Sequence, residues 1–247
     1  MTETFPETRL SMWSGPRNIS TAMMRSFGNR SDCLPVDEPY YAWYLKKTGL
    51  DHPMKEAVIA SQPTRWQTVT DTLNGPLSDG KTLLYIKHMS QHMLDEIDLS
   101  ALAHHTHCFL LRDPRLVIAS FAAKWDQVSA DATGFERQVE LYTYFAAHSP
   151  NPVVVVEGED ILRQPREMLE LLCQECGLPF DEAMLEWPSG PHPADGVWGK
   201  HWYGAVEAST GFQKYTPREV ELPPALEKLA DQLRPSYEAM KARKITL

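Results

Sequence analysis

The chain has 247 residues, of which 43% are apolar and 23% are charged, so it can form both a buried core and a solvated surface. Its formal net charge of −9 excludes a general nucleic-acid binder, because such proteins carry a net basic face. No run of about 18 apolar residues is present to cross a membrane. The acidic residues 1–7 lack the apolar core of a secretory signal, and four cysteines are too few for a disulfide framework. We therefore expect a cytoplasmic protein with reduced thiols.

Strand-like and helix-like segments alternate along the chain, which predicts a three-layer α/β/α domain with a central parallel sheet of about five strands. The predicted strands are residues 8–13, 33–36, 82–86, 107–111 and 153–156. The predicted helices are residues 18–27, 40–47, 63–73, 114–125, 135–147, 165–176 and 223–243, the last interrupted at Pro235. The length and this pattern predict one domain spanning residues 1–247.

The first predicted strand leads through residues 14–21, Ser-Gly-Pro-Arg-Asn-Ile-Ser-Thr, directly into a helix. A helix N-terminus presents free N–H groups and the positive end of the helix dipole, which together favour an anion. Arg17 adds a fixed charge, and Ser20 and Thr21 add hydroxyl donors. The loop therefore predicts a phosphate site, although an ordinary helix cap is the simpler alternative. The Gly-Lys pair of the ATP-type P-loop is missing, which disfavours an ordinary ATPase or kinase.

A second candidate phosphate site follows the fourth predicted strand, at Arg112-Asp-Pro-Arg115. In parallel α/β sheets, ligands bind beyond the carboxyl ends of the strands, where Arg112 lies. Ser120, two turns into the next helix, could join Arg112 in binding a phosphate. The alternative is that Asp113 caps this helix and Arg112 pairs with a carboxylate.

Taken together, these two segments resemble the donor-binding motifs of the sulfotransferase family. The first loop is similar to that family's 5′-phosphosulfate-binding loop, and residues 112–120 are similar to its 3′-phosphate-binding segment. Residues 153–180 are similar to its last strand and the helix that follows. The resemblance runs from about residue 9 to residue 185, and it implies a P-loop NTPase-like fold that uses 3′-phosphoadenosine 5′-phosphosulfate (PAPS) as co-substrate.

The resemblance also implies roles for individual residues. The 5′-phosphosulfate would be held by Arg17, Ser20 and Thr21, together with backbone N–H groups of Asn18 and Ile19. The 3′-phosphate would be held by Arg112 and Ser120. Ile19 stands where many family members have glycine, so its side chain narrows the loop.

The acceptor group needs a base to remove its proton. Glu38 follows the second predicted strand, where many bacterial and carbohydrate sulfotransferases place a glutamate base, and we expect it to be the base. His88, after the third predicted strand, is the other candidate, although small-molecule sulfotransferases carry Lys-Thr-His there and this chain has Lys87 directly before His88. We expect Lys87 to stabilise the bridging oxygen or to orient Glu38. Glu38 could instead be a surface carboxylate or a neighbour of a helix cap.

Other patterns support less specific interpretations. His88 and His92 are four residues apart but lack the glutamate of a zinc motif, so no metal is expected. Cys173 and Cys176 lie late in a helix and are expected to be packing residues. Residues 187–217 are rich in glycine, proline and aromatic residues and are expected to form a lid, whose aromatic residues either line an acceptor site or pack beneath the segment.

The sequence thus predicts transfer of a sulfuryl group from PAPS to a hydroxyl or amine of a small-molecule acceptor, with no nucleic-acid or membrane partner. Two alternatives remain open at this stage. One is a nucleotide-dependent phosphotransferase with a P-loop-like fold. The other is a non-catalytic nucleotide-binding or interaction protein with the same fold, which Ile19 and the position of His88 would fit.

Overall fold

The computed structural model describes residues 7–78, 80–124 and 128–247. Its sheet has five parallel strands in the spatial order β2-β3-β1-β4-β5. The strands are β1 (Thr8–Ser14), β2 (Cys33–Asp37), β3 (Leu83–Met89), β4 (Thr106–Leu111) and β5 (Val153–Glu157). The predicted α/β architecture and the five predicted strands are confirmed.

Twelve α-helices are present in the described part of the chain. Those in the first half are α1 (Ser20–Gly28), α2 (Tyr41–Thr48), α3 (Lys55–Ser61), α4 (Trp66–Asn74) and α5 (Pro114–Ala122). Those in the second half are α6 (Ala130–Thr133), α7 (Phe135–His148), α8 (Gly158–Arg163), α9 (Pro165–Glu175), α10 (Gly199–Trp202), α11 (Gly204–Glu207) and α12 (Pro224–Lys241). Trp125, where the fourth predicted helix was expected to end, lies outside the described residues. No described helix combines the length and the hydropathy needed to cross a membrane.

Two apolar cores lie on opposite faces of the sheet. Alternate strand residues such as Trp13 and Phe109 face the first core, where they meet α5, α7 and α12. Their neighbours Met12 and Cys108 face the second core, where they meet α1 and α9. This alternation follows from the two-residue period of a strand. Because helices cover both faces of the sheet, every residue of β3 and β4 is buried, including polar ones such as Lys87 and His107.

Three differences from the sequence prediction have physical causes. Helix α3 was not predicted because only Val58 of its seven residues is buried, so it has little amphipathic pattern. Helix α8 was not predicted because it begins directly after β5, without an intervening turn. Helix α12 runs through Pro235 without the predicted interruption, since Leu233 and Tyr237 on either side are buried in the first core. The packing there outweighs the lost backbone hydrogen bond.

Candidate functional site

A cavity of about 320 Å³ opens at the carboxyl ends of the strands, where such sheets bind ligands. The loop after β1 and the start of α1 form one side, which Arg112 before α5 and the last turn of α5 adjoin. Helices α2, α10 and α11 form the opposite side. Of the residues predicted for the site, those that line the cavity are Arg17, Asn18, Ile19, Ser20, Thr21, Glu38, Lys87, Arg112 and Ser120.

The loop after β1 is held in a fixed conformation by backbone contacts. Arg17 has a φ of 61°, in the left-handed region that a non-glycine residue rarely adopts, and its carbonyl accepts a hydrogen bond from Arg112. A Cβ atom at Gly15 would lie 2.3 Å from the carbonyl oxygen of Thr133, so only glycine fits at this position. The close approach of Thr133 therefore requires glycine at position 15, and Arg112 adds one hydrogen bond to the loop.

The N-terminus of α1 points free N–H groups toward the cavity. The first intrahelical hydrogen bond runs from the Met23 N–H to the Ile19 carbonyl, and no side chain caps the helix. The N–H groups of Ser20, Thr21 and Ala22 therefore have no partner within the helix. The Ile19 N–H instead donates to the side-chain oxygen of Asn18 at 2.8 Å, so it is engaged within the loop.

Two arginines beside this helix end have no carboxylate partner among the residues that the structure describes. The Nε of Arg17 donates to the Ser120 hydroxyl at 3.0 Å, and Arg112 donates to the Arg17 carbonyl. Within the described ranges, no Asp or Glu oxygen lies within 4.0 Å of either guanidinium. Burial lowers the pKa of both arginines, and their mutual repulsion lowers that of Arg112 further. Two such cations next to free N–H groups fit a ligand with two or more anionic groups.

Asp113 caps α5 as the sequence allowed, because its carboxylate accepts from the Arg115 N–H at 2.8 Å. The further possibility that Arg112 pairs with a carboxylate is not seen among the described residues. The structure also brings Arg17 and Ser120 into direct contact. The two predicted phosphate sites are therefore adjacent.

On the other side of the cavity, Glu38 forms a buried ion pair with Lys87. The Glu38 Oε1 lies 2.6 Å from the Lys87 Nζ, and the same Nζ lies 2.8 Å from Asp37 Oδ1. Burial, opposed by Lys87, raises the pKa of Glu38 and so makes it a stronger base than an exposed glutamate. Although burial acts to lower it, the pKa of Lys87 is raised by Asp37 and Glu38, so the amine stays charged.

This ion pair belongs to a larger network that the sequence did not predict. The Tyr203 hydroxyl lies 2.7 Å from the Lys87 Nζ, and it donates to Asp37 at 2.8 Å. The indole N–H of Trp198 in turn donates to the Tyr203 oxygen at 2.9 Å. Asp37 could have been noticed as the residue before Glu38. No sequence signal places Tyr203 there, because it is more than 160 residues away.

The two histidines near the end of β3 occupy different environments. Lys87 and His88 were expected to follow the third strand, but both lie inside β3, paired with Met12 and Trp13 of β1. Neighbouring strand residues face opposite sides, so His88 lies in the first core, with its ring stacked 4.0 Å from that of Trp13. It does not line the cavity. His92, in the single turn after β3, does line it.

Aromatic residues of the predicted lid enclose the end of the cavity near Glu38. Trp198 and Tyr203 are almost fully buried, and Trp202 also lines the cavity. They face Tyr41 and Tyr44 of α2, and Tyr41 packs edge-on to Trp198 at 5.2 Å. The lid aromatic residues thus both line the cavity and pack beneath the segment. In the described part of the chain, no cluster of three or more His, Cys, Asp or Glu residues is arranged to hold a metal ion.

Comparisons with known proteins place the chain in a family. Residues 8–244 match the sulfotransferase domain family, so the chain belongs to the sulfotransferase family and the predicted resemblance is confirmed. A solved sulfotransferase from Alicyclobacillus acidocaldarius superposes with a TM-score of 0.57 and 12% identity, covering 98% of each chain. At this identity the likeness shows the shared fold.

Two curated relatives from Arabidopsis thaliana are more similar in sequence. Branched-chain-amino-acid aminotransferase-like proteins 1 and 2 are 35% identical over 213 residues and 33% identical over 207 residues. The matches cover 85% and 82% of this chain, but the chain spans only 38% and 36% of the relatives' own lengths.

Proposed function

We propose that this protein transfers the sulfuryl group of PAPS to a small-molecule acceptor. The observation that supports this most strongly is a pair of arginines at the N-terminus of α1, across the cavity from Glu38. Neither arginine has a carboxylate partner in the described part of the chain. PAPS carries anionic groups at its 5′ and 3′ positions, which suits two neighbouring cationic sites. The two curated relatives are named aminotransferase-like proteins, but this chain spans less than two fifths of their lengths. Their names therefore do not define the activity proposed for this chain.

The donor's 5′-phosphosulfate is assigned to the loop after β1. Arg17 supplies the charge, while the N–H groups and hydroxyls of Ser20 and Thr21 supply hydrogen bonds. The 3′-phosphate is assigned to Arg112 and Ser120. Asn18 shapes the loop from within, because its carboxamide donates to the Leu110 carbonyl at 3.0 Å and accepts from the Ile19 N–H. The Ile19 side chain packs against the second core at the edge of the cavity.

The reaction needs a proton acceptor and neutralisation of the leaving phosphate. Glu38 accepts the proton as the acceptor atom bonds to sulfur and the bond from sulfur to the bridging phosphate oxygen breaks. Arg17 neutralises the charge that develops on the phosphate. Lys87 holds the Glu38 carboxylate at 2.6 Å and is a positioning residue. His88 takes no part, since its ring is buried against Trp13.

An Arg112→Ala variant tests the donor assignment. We expect it to bind adenosine 3′,5′-bisphosphate about tenfold to a hundredfold more weakly, because a hydrogen bond to a charged group contributes about 1.5–3 kcal/mol. Binding of adenosine 5′-phosphate should change much less, as measured by calorimetry. Arg115→Ala is the matched control, because Arg115 pairs with Glu227 and does not line the cavity. Equal losses for the two nucleotides would reject the 3′ role of Arg112.

A further inference from the structure

Lys87 lies between two carboxylates that compete for its charge. Its Nζ lies 2.8 Å from Asp37 Oδ1, 2.6 Å from Glu38 Oε1 and 2.7 Å from the Tyr203 hydroxyl oxygen. An ammonium group has three N–H donors, so these three partners use all of them. How strongly Lys87 stabilises the Glu38 carboxylate therefore depends on how far other groups offset the charge of Asp37.

Two groups of the predicted lid offset that charge. The Tyr203 hydroxyl donates to Asp37 Oδ2 at 2.8 Å, and the Gly196 N–H donates to the same oxygen at 3.0 Å. Together with Lys87 at Oδ1, they give Asp37 three hydrogen-bond donors. Glu38 receives a hydrogen bond from Lys87 at Oε1, and no hydrogen bond to Oε2 is present in the described part of the chain. The two neighbouring carboxylates therefore differ, and Glu38 is the one left with a free oxygen.

The hydrogen bonds of Tyr203 fix the direction in which its proton points. Its oxygen accepts from the Trp198 indole N–H at 2.9 Å and from Lys87, which occupies both lone pairs. The single hydroxyl proton is left for Asp37, because Glu38 Oε1 is farther away, at 3.5 Å. Burial and the charges of Asp37 and Glu38 raise the pKa of Tyr203 well above its usual value, so the hydroxyl keeps this proton.

We propose that Tyr203 is a positioning residue for the transfer of the acceptor proton to Glu38. This inference rests on the proposed function and adds a residue on which its base depends. The Tyr203 hydroxyl offsets the charge of Asp37, so that Lys87 stays available to stabilise the Glu38 carboxylate. Since both lone pairs and the proton of the hydroxyl are in use, it acts through Asp37 and Lys87 and does not bind the acceptor.

Other titratable groups near this network are neutral or distant. The neutral groups are the side chains of Tyr41, Tyr85 and His92, because burial raises the pKa values of both tyrosines and lowers that of His92. His92 Nδ1 lies 4.0 Å from Glu38 Oε2, too far for a hydrogen bond. Arg17 and Arg112 lie at the donor end of the cavity, across from the acceptor end near Glu38. The charges that act most directly on Glu38 are therefore those of Asp37 and Lys87.

The proposal is tested by following the protonation of Glu38 directly. In protein labelled with ¹³C-glutamate, the carboxyl signal absent from Glu38→Gln identifies Glu38, and its chemical shift is recorded from about pH 4 to about pH 9. We expect the titration midpoint to lie about one pH unit higher in Tyr203→Phe, because Asp37 then repels the Glu38 carboxylate more strongly. Tyr40→Phe is the matched control, since it removes a buried hydroxyl that bonds to Thr70. A midpoint that is unchanged or lower in Tyr203→Phe, or an equal rise in Tyr40→Phe, would overturn the inference.

A second variant tests whether Tyr203 acts through Asp37. Asp37→Asn removes the competing charge, so the Glu38 midpoint should fall below that of the wild type. When Tyr203→Phe is added to Asp37→Asn, we expect a much smaller rise than the same change causes in the wild type. A rise of equal size in the two backgrounds, or no fall in Asp37→Asn alone, would contradict the proposal.

The transfer rate separates this inference from the proposed function. With labelled PAPS and 4-propylphenol as probes, we expect the acid limb of the pH–rate profile to move together with the Glu38 midpoint. Binding of adenosine 3′,5′-bisphosphate to Tyr203→Phe should be unchanged, because the donor site lies on the other side of the cavity. A midpoint that moves without the acid limb would show that Glu38 is not the base and would contradict the proposed function. A midpoint that does not move contradicts only the role of Tyr203.

Discussion

At the scale of single residues, two functional side chains sit on strained backbone. Glu38 has a φ of 43° and Arg17 has a φ of 61°, conformations that cost a non-glycine residue free energy. Each is held by a neighbouring strand or loop: the Glu38 N–H donates to the Lys87 carbonyl at 2.9 Å, and the Arg17 carbonyl accepts from Arg112. The strain directs both side chains into the same cavity, which is a common property of functional sites.

The role of Glu38 as base predicts the behaviour of Glu38→Gln. The amide keeps the shape of the side chain but cannot take a proton, so the transfer rate should fall by about 10²–10⁴-fold. The rate is measured with labelled PAPS and 4-propylphenol, and adenosine 3′,5′-bisphosphate binding serves as the control for an intact donor site. An unchanged rate with unchanged bisphosphate binding would show that Glu38 is not the base.

The ion pair predicts a large stability effect for Lys87→Met. This change leaves Asp37 and Glu38 as two neighbouring buried carboxylates, and breaking a buried pair costs about 3–5 kcal/mol. We expect the midpoint of urea unfolding to fall accordingly. Lys81→Met is the matched control, since the Lys81 amine donates to the Ser31 carbonyl at an exposed position. A decrease in the urea midpoint no larger than that of Lys81→Met would contradict the buried network around Lys87.

At the scale of elements, the lid is tied to α1 by one buried ion pair. Arg25 of α1 donates two hydrogen bonds of 2.6 Å to Asp195, and both side chains are buried. Asp195 also accepts from the His192 N–H, so it organises the chain just before Trp198. The lid residues that complete the acceptor end of the cavity are thus positioned from the helix that carries the phosphate site.

Asp195→Ala should therefore loosen the lid. Arg25 would remain buried without a partner, a change that costs about 3–5 kcal/mol. We expect faster amide hydrogen exchange at residues 196–207, with little change in the strands. Glu182→Ala is the control, because it breaks a pair with Arg166 at the surface. An unchanged rate of amide hydrogen exchange at residues 196–207 would show that the Arg25–Asp195 ion pair does not hold the lid in place.

The sequence predicted elements well where the local pattern matched the environment. The four consecutive valines of β5 are typical of a strand that is buried on both faces. The spacing of apolar residues in α9 is typical of a helix that is buried on one face. The predicted end of the third strand, at residue 86, was wrong. Lys87 and His88 are polar, and charged residues are unusual in a buried strand, so the pattern did not indicate that β3 continues through them. Their pairing with β1 is a tertiary feature that a local pattern does not contain.

The candidate site was only partly predictable for the same reason. Arg17, Arg112 and Glu38 follow strand ends, and parallel strands bring their carboxyl ends together, so their proximity could be expected. His92 lines the cavity 4.0 Å from Glu38, and Tyr203 hydrogen-bonds with Lys87 and Asp37. Their roles required the structure, because neither stands in a motif that predicts such contacts.

At the scale of the whole molecule, a net charge of −9 must be reconciled with the proposed anion site. That site needs only a few cations, and Arg17 and Arg112 have no carboxylate partner among the described residues, so an acidic chain can still bind an anion there. The single-domain organisation and the cytoplasmic location stay predictions.

The buried histidines predict acid destabilisation. Burial lowers the pKa of His105 to about 2 and of His107 to about 3, and lowers that of His88 well below its usual value. These rings stay neutral in the folded state but gain a proton when unfolded. Their stabilisation is complete above pH 6.5 and declines as the pH falls below it, by about 1.4 kcal/mol per pH unit for each histidine.

Urea unfolding measured between pH 7.5 and 4.5 checks this expectation. The free energy of unfolding should fall steadily below pH 6.5, and His107→Leu should reduce the slope. His148→Asn, at an exposed position, should leave the slope unchanged. A free energy of unfolding that is constant from pH 6.5 to 4.5 would contradict neutral buried histidines.

The proposed function depends on a nucleotide with a 3′-phosphate binding at the paired arginines and the N-terminus of α1. Thermal unfolding with adenosine 3′,5′-bisphosphate and with ATP, each at the same concentration, measures this binding, because a ligand that binds the folded state raises the Tm. We expect a clear rise in Tm with the bisphosphate and a much smaller one with ATP. Equal rises for the two ligands, or no rise with the bisphosphate, would contradict it.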